Sequence, residues 1–209
     1  MPKPAVFLDR DGVLNQEVGY IFNVEDLQLI PGIAQAVRRM NDFGLFCCLV
    51  SNQSGPARGY YSTRHVDALH NRLCQLLAQE AGAHLDALYY CPYLSQPEGG
   101  IDPDYTLWNT WRKPNTGMLV AAAWDHDLDL HHSFMVGDKA TDIDMAHNTG
   151  CVGILVKWSL ATASWVVDTS ITPPPTTLPP IFPLRLIGSC KICIDDTQQS
   201  IQYSSTRMR

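Results

Sequence analysis

A chain built from short apolar runs, each ending on a polar turn and alternating with stretches of helical spacing, has few folds open to it. The run Ala5-Val6-Phe7-Leu8 stops at Asp9-Arg10-Asp11-Gly12, and Leu45 to Val50 stops at Ser51-Asn52-Gln53-Ser54-Gly55. Leu85 to Tyr90, Phe134-Met135-Val136 and Val152 to Val156 repeat the grammar, with Gly137-Asp138-Lys139 closing the run at Phe134. After Pro31-Gly32, Ile33, Ala36, Val37 and Met40 recur at helical spacing and stop at Gly44. Val66, Leu69, Leu73, Leu76 and Leu77 form a second stripe, capped by Ser62 and ending near Gly82. Arg112-Lys113-Pro114 opens a helix through Met118, Leu119, Ala122 and Ala123, with Pro114 tolerated in its first turn, and Thr141 or Asp142 begins a shorter helix that stops at Gly150. Strands alternating with helices predict an α/β fold, a mostly parallel sheet covered on both faces.

This pattern fills residues 1–170 and predicts one domain, with a long loop from Cys91 to Trp111 as a functional insert. From Ile171 it ends. Six of the fourteen prolines lie between Pro173 and Pro183, and 171–209 reads as a proline-rich, poorly ordered tail. The net charge of −6 offers no field for a nucleic-acid backbone, and no stretch approaches the roughly 20 apolar residues of a membrane span. Met1 to Val6 has no apolar run of signal-peptide length, so the expectation is a cytoplasmic monomer with no nucleic-acid or membrane partner. The seven cysteines lack the even spacing of a disulfide framework and read as reduced, mostly buried thiols; Cys190-x-x-Cys193 has no second pair to complete a zinc site.

In a parallel sheet the carboxyl ends of the strands face one crevice, so the polar residues just past them converge. Asp9 and Asp11, Ser51 to Gln53, Arg112 with Lys113, and Asp138 with Asp142 are the groups that qualify. Carboxylates gathered by a fold repel one another unless a cation sits among them, and hard oxygen ligands favour magnesium. Hydroxyl, ammonium and guanidinium donors beside such a site suit the oxygens of a phosphoryl group. The chemistry indicated is phosphoryl transfer. Asp9-x-Asp11 then supplies one carboxylate to attack phosphorus and a second to handle protons for the leaving oxygen.

Phe7 to Asn15, Ser51-Asn52-Gln53, Arg112-Lys113-Pro114 and Gly137-Asp138-Lys139-Ala140-Thr141-Asp142 resemble, in order, the motifs of haloacid dehalogenase (HAD) superfamily phosphatases. Gly19-Tyr20-Ile21, Pro31-Gly32, Ser51 to Gly55 and Ala57-Arg58-Gly59-Tyr60 resemble the branch that acts on D-glycero-D-manno-heptose 1,7-bisphosphate, to which the histidinol-phosphate phosphatases are close. The resemblance implies a Rossmann-like core with a cap made only of loops. It implies that Asp9 is the nucleophile, that Asp11 is the acid and base, and that Asp9, the main-chain carbonyl of Asp11 and Asp138 hold magnesium, with Asp142 supporting them. Ser51 and Lys113 would bind the transferring phosphoryl group, and Asn52, Arg58 and Arg112 the rest of a small phosphorylated sugar.

This sequence departs from the branch at its zinc loop. Positions for Cys-x-His and Cys-x-Cys read Cys91-Pro92-Tyr93 and Asn109-Thr110-Trp111, so only Cys91 remains and no zinc is expected. The helix that should follow Trp165 to Asp168 is replaced by the tail. His65, His70, His126, His131 and His132 read as solvated helix-face or turn residues without a ligand role. Besides heptose bisphosphate, the readings left open are a histidinol-phosphate phosphatase and a catalytically weak binding protein.

Overall fold

In the computed structural model, which describes residues 2–159 and 164–168, six strands form one sheet in the order β3-β2-β1-β4-β5-β6. The strands are β1 (Ala5–Leu8), β2 (Phe46–Asn52), β3 (Ala87–Cys91), β4 (Phe134–Gly137), β5 (Val152–Ser159) and β6 (Ser164–Asp168). The first five run parallel, and β6 returns antiparallel along the edge of β5. The mostly parallel expectation therefore holds. The proline-rich segment 171–209 lies outside the described residues.

Helices α1 (Ile33–Asp42) and α2 (Thr63–Ala81) pack on one face, α3 (Gly117–His126) and α4 (Ala140–Thr149) on the other. Strand β1 is buried on both faces because its alternate residues serve two cores. Val6 and Leu8 meet the α1 and α2 stripes, whereas Ala5 and Phe7 meet Met118, Leu119 and Met145. Truncating the fully buried Phe7 to alanine would cost about 3–5 kcal/mol.

Two expectations need correction. The helix after Arg112 begins at Gly117, leaving Lys113 and Pro114 in a preceding turn joined by a cis peptide bond. His70 is buried, not solvated: it sits four residues after Val66 and three before Leu73, which puts it on the α2 stripe that faces the sheet. His65 is also engaged, its Nε2 lying 2.8 Å from the Ile21 carbonyl and tying α2 to the loop after β1.

Candidate active site

Register explains the convergence. Leu8 pairs with Leu49 on one side and Val136 on the other, so Asp9, Ser51 and Asp138 emerge within two residues of one another at the same end of the sheet. Carboxylate oxygens of Asp9, Asp138 and Asp142 lie within 4.8 Å of one another. Two glycines allow this crowding. Gly12, at φ 82°, passes so close to Asp138 that a Cβ would strike its carboxylate, and a Cβ on Gly137 would strike Asp142 where it folds across the end of β4.

The Lys113 ammonium lies 2.9 Å from Asp9 Oδ1 and 2.5 Å from Asp142 Oδ1, and donates to the Val50 carbonyl at 3.1 Å. Burial alone would depress its pKa; the two carboxylates outweigh burial and raise it, so it stays charged. Its backbone is held in turn by Asn52, which accepts from the Lys113 N–H at 3.0 Å and donates to the Lys113 carbonyl at 3.2 Å. The Asn52 amide thus points at Lys113, a contact that sequence spacing does not reveal.

Asp138 is a carboxylate crowded by others of its kind. Burial first, then the nearby Asp9, Asp142 and Glu17 carboxylates, push it up to about 6 against the pull of Lys139. Its Oδ1 is buried without a hydrogen-bond partner among the described residues. Such a carboxylate, aimed into an all-oxygen cluster, fits a hard divalent cation. Asp142 belongs to this cluster through its carboxylate, and it also accepts from the Lys139 N–H at 3.1 Å.

The Asp11 carboxylate is not a member of the cluster. It accepts from Arg10 Nε and Nη2, from Asn15 Nδ2 at 3.0 Å and from Gln53 Nε2 at 2.9 Å. Burial raises its pKa, but Arg10 and the amide donors hold it below the usual range. Only its main-chain carbonyl remains as the ligand that the family resemblance implies. The same Gln53 nitrogen donates to Ser51 Oγ at 2.9 Å, linking the two strand-end residues. Gln53 falls within the group Ser51 to Gln53 that the sequence marks, but Arg10 and Asn15 are not marked by it; the available signal is their polarity at positions flanked by Leu8, Val13 and Leu14.

Arg58 and Arg112 lie outside this nest and meet at Glu98. Arg58 Nη2 donates to the Glu98 carbonyl at 3.0 Å, Arg112 Nε lies 3.4 Å from Glu98 Oε1, and Arg112 Nη1 lies 3.4 Å from the Tyr93 carbonyl. Ser95 fixes Glu98 from below by a capping box.

A family model described as HAD-hydrolase-like matches residues 110–178. A D-glycero-D-manno-heptose-1,7-bisphosphate 7-phosphatase of Thermosynechococcus vestitus is 76% identical over 157 residues, which are 75% of this chain and 80% of that protein. The D-glycero-beta-D-manno-heptose-1,7-bisphosphate 7-phosphatase of Haemophilus ducreyi is 40% identical over 150 residues, 72% of this chain and 80% of that one. Among solved structures, the D,D-heptose 1,7-bisphosphate phosphatase of B. bronchiseptica, complexed with magnesium and phosphate, superposes with a TM-score of 0.63 at 33% identity, covering 73% of this chain and 79% of that one. A HAD-like phosphatase of Mesorhizobium loti gives 0.69 at 33% identity, with coverage of 81% and 82%. The fold and the acidic site define a HAD-superfamily hydrolase, a magnesium-using class of phosphatases. Within it, the chain belongs to the family of the heptose-1,7-bisphosphate 7-phosphatases.

Proposed function

We propose that this enzyme removes the 7-phosphate of D-glycero-D-manno-heptose 1,7-bisphosphate by way of an aspartyl-phosphate. The observation that carries the reading is the meeting of Asp9, Lys113, Asp138 and Asp142 at one point in a chain 76% identical to a phosphatase of that name. Asp9 attacks phosphorus while Ser51 and Lys113 hold the phosphoryl oxygens, and the bond to the sugar oxygen breaks. Asp11 gives the departing oxygen its proton and then takes one from the water that cleaves the aspartyl-phosphate. Asp9, Asp138 and the Asp11 carbonyl would hold magnesium, which offsets charge between the carboxylates and the phosphoryl oxygens. Asp142 steadies Lys113 and the cluster.

The second phosphate needs cations outside the nest, and Arg58 and Arg112 are placed to supply them, with Asn52 acting through Lys113. In the loop from Pro92 to Thr116, Leu94 is buried, Tyr93 meets Tyr105 at 5.9 Å between ring centroids, and Glu98 joins the two arginines, contacts that support a loop built without zinc. The reading takes the enzyme as a monomer, and the free buried Cys47, Cys48, Cys91 and Cys151 suit the cytoplasm. Among the described residues no helix is long and apolar enough to cross a membrane. Phosphate release from heptose 1,7-bisphosphate, histidinol phosphate and hexose bisphosphates, each with magnesium and with EDTA, tests the proposal. Magnesium-dependent release fastest from the heptose is the expected result; a preference for histidinol phosphate, or no release from any compound, overturns it.

A further inference from the structure

We propose that Arg10 is a positioning residue that fixes the Asp11 carboxyl for proton transfer, a role that rests on the acid and base assignment of Asp11 above. Arg10 is an arginine with 1% of its surface exposed, set in the chain between Asp9 and Asp11. A guanidinium so placed gives up its hydration, and structures retain buried charges where they are paired in a defined geometry. Its ionic partner among the described residues is Asp11, met through a fork: Nε to Oδ1 at 3.1 Å, and Nη2 to Oδ1 and Oδ2 at 2.9 Å each. A lysine, with a single point of charge, cannot reproduce that fork.

The two sides of Asp11 differ. Arg10 seals it from behind, with a side chain 1% exposed against 14% for that of Asp11. On the front, Gln53 shares one amide nitrogen between Asp11 Oδ2 and Ser51 Oγ. When the Ser51 hydroxyl turns to a phosphoryl oxygen, that amide is the contact a leaving oxygen can displace, whereas the Arg10 fork has nowhere to go. The turn is itself wound on Arg10, whose carbonyl accepts from the N–H groups of Leu14 at 2.8 Å and Asn15 at 3.0 Å. The arginine therefore holds the carboxyl by its side chain and the loop by its main chain. Behind it His70, held neutral by burial and by the Arg10 charge, adds no second cation.

The proton passes from Asp11 to the sugar oxygen as its bond to phosphorus breaks, so Arg10 matters in proportion to the need for that proton. p-Nitrophenolate leaves without one. In Arg10→Lys, kcat for the sugar bisphosphate should fall about 10²-fold with KM changed less than about threefold, while the p-nitrophenol burst from p-nitrophenyl phosphate stays within about threefold of wild type. In an Asp11→Asn background the same substitution should add less than about twofold, because a residue acting through Asp11 has nothing left to position. Independent, multiplying losses, an equally slowed burst, or an unchanged kcat in Arg10→Lys would each overturn the inference. Arg10→Gln, which buries no charge, repeats the cycle if the lysine protein does not fold. A wild-type rate in Asp11→Asn alone would instead remove the acid and base assignment itself, so the two failures are told apart.

Discussion

The strand tips and the loop from Pro92 to Thr116 are built on different principles. At the tips, Asp9, Ser51, Lys113 and Asp142 are all buried; register within a parallel sheet sets the spacing of Asp9 and Ser51, while the turn before α3 and the first turn of α4 bring in Lys113 and Asp142. In the loop, the contact that gathers the guanidiniums is a 3.4 Å pair between Arg112 and a half-exposed Glu98. Chemistry common to all substrates needs groups held in low dielectric and fixed geometry. Choice among substrates can be carried by groups in contact with water, whose loss leaves the core untouched. Damage to the first region should therefore end turnover, and damage to the second should redirect it.

The sharpest break comes at the nucleophile. Asp9→Asn should lower phosphate release by a factor on the order of 10⁴ or more, because an amide cannot attack phosphorus. The fold should persist, since the change removes one of three crowded carboxylates. A melting temperature in EDTA equal to or above that of the wild type, together with the lost turnover, is the expected pair of results.

Lys113→Met tests the same region through its cation. Asp9 and Asp142 would be left buried and facing one another without the ammonium now 2.9 and 2.5 Å from them. Urea unfolding in EDTA should show a loss of about 3–5 kcal/mol, the usual result of removing one partner from a buried ionic group. Added magnesium should restore part of the loss. A variant as stable as wild type would mean that the ammonium does not hold this nest together.

In the outer region, Arg112→Ala should raise KM for a bisphosphate about tenfold, roughly the worth of one exposed charge-assisted contact, and leave a monophosphate nearly unaffected. Its stability cost should stay below about 1 kcal/mol because the Arg112–Glu98 pair is exposed. Steady-state kinetics on the two substrate types separates this outcome from a general loss of activity. Equal loss on both would place Arg112 with the strand tips and break the division between the regions.

The two regions also differ in how far the sequence reveals them. Apolar runs at Ala5, Leu45, Phe134 and Val152 disclose parallel strands, and a parallel sheet by itself brings Asp9, Ser51 and Asp138 to one edge. The grip on Asp11 is hidden because it depends on rotamers: a neighbouring Arg10 turned inward and Gln53 reaching across from just past the end of β2. Asn52 misleads for a similar reason, its amide being spent on the backbone of Lys113, 61 residues away. His70 was legible, as it lies on the Leu69–Leu73 stripe, but a histidine in a polar-looking helix is easily assigned to solvent. Residue type outweighed periodicity there.

That histidine supplies the smallest effect and the finest probe of the buried region. Burial, with the nearby Arg10 charge, drives its pKa down to about 3 against an ordinary value of 6.5. The unfolded chain therefore binds a proton that the folded chain refuses. The resulting penalty is absent above pH 6.5 and grows as pH falls from 6.5 toward 3. His70→Phe fills a similar volume with a ring that cannot titrate, and its Tyr90 neighbour, at 5.2 Å between centroids, accepts an aromatic partner. At pH 7.5 the variant and wild type should differ by less than about 1 kcal/mol in urea unfolding. By pH 5.5 the difference should have moved about 1 kcal/mol in favour of the variant, since one pKa unit is worth about 1.4 kcal/mol. A difference that stays constant between those two pH values would mean that the ring reaches water in the folded protein, and the wall behind Arg10 would then be as open as the loop around Glu98.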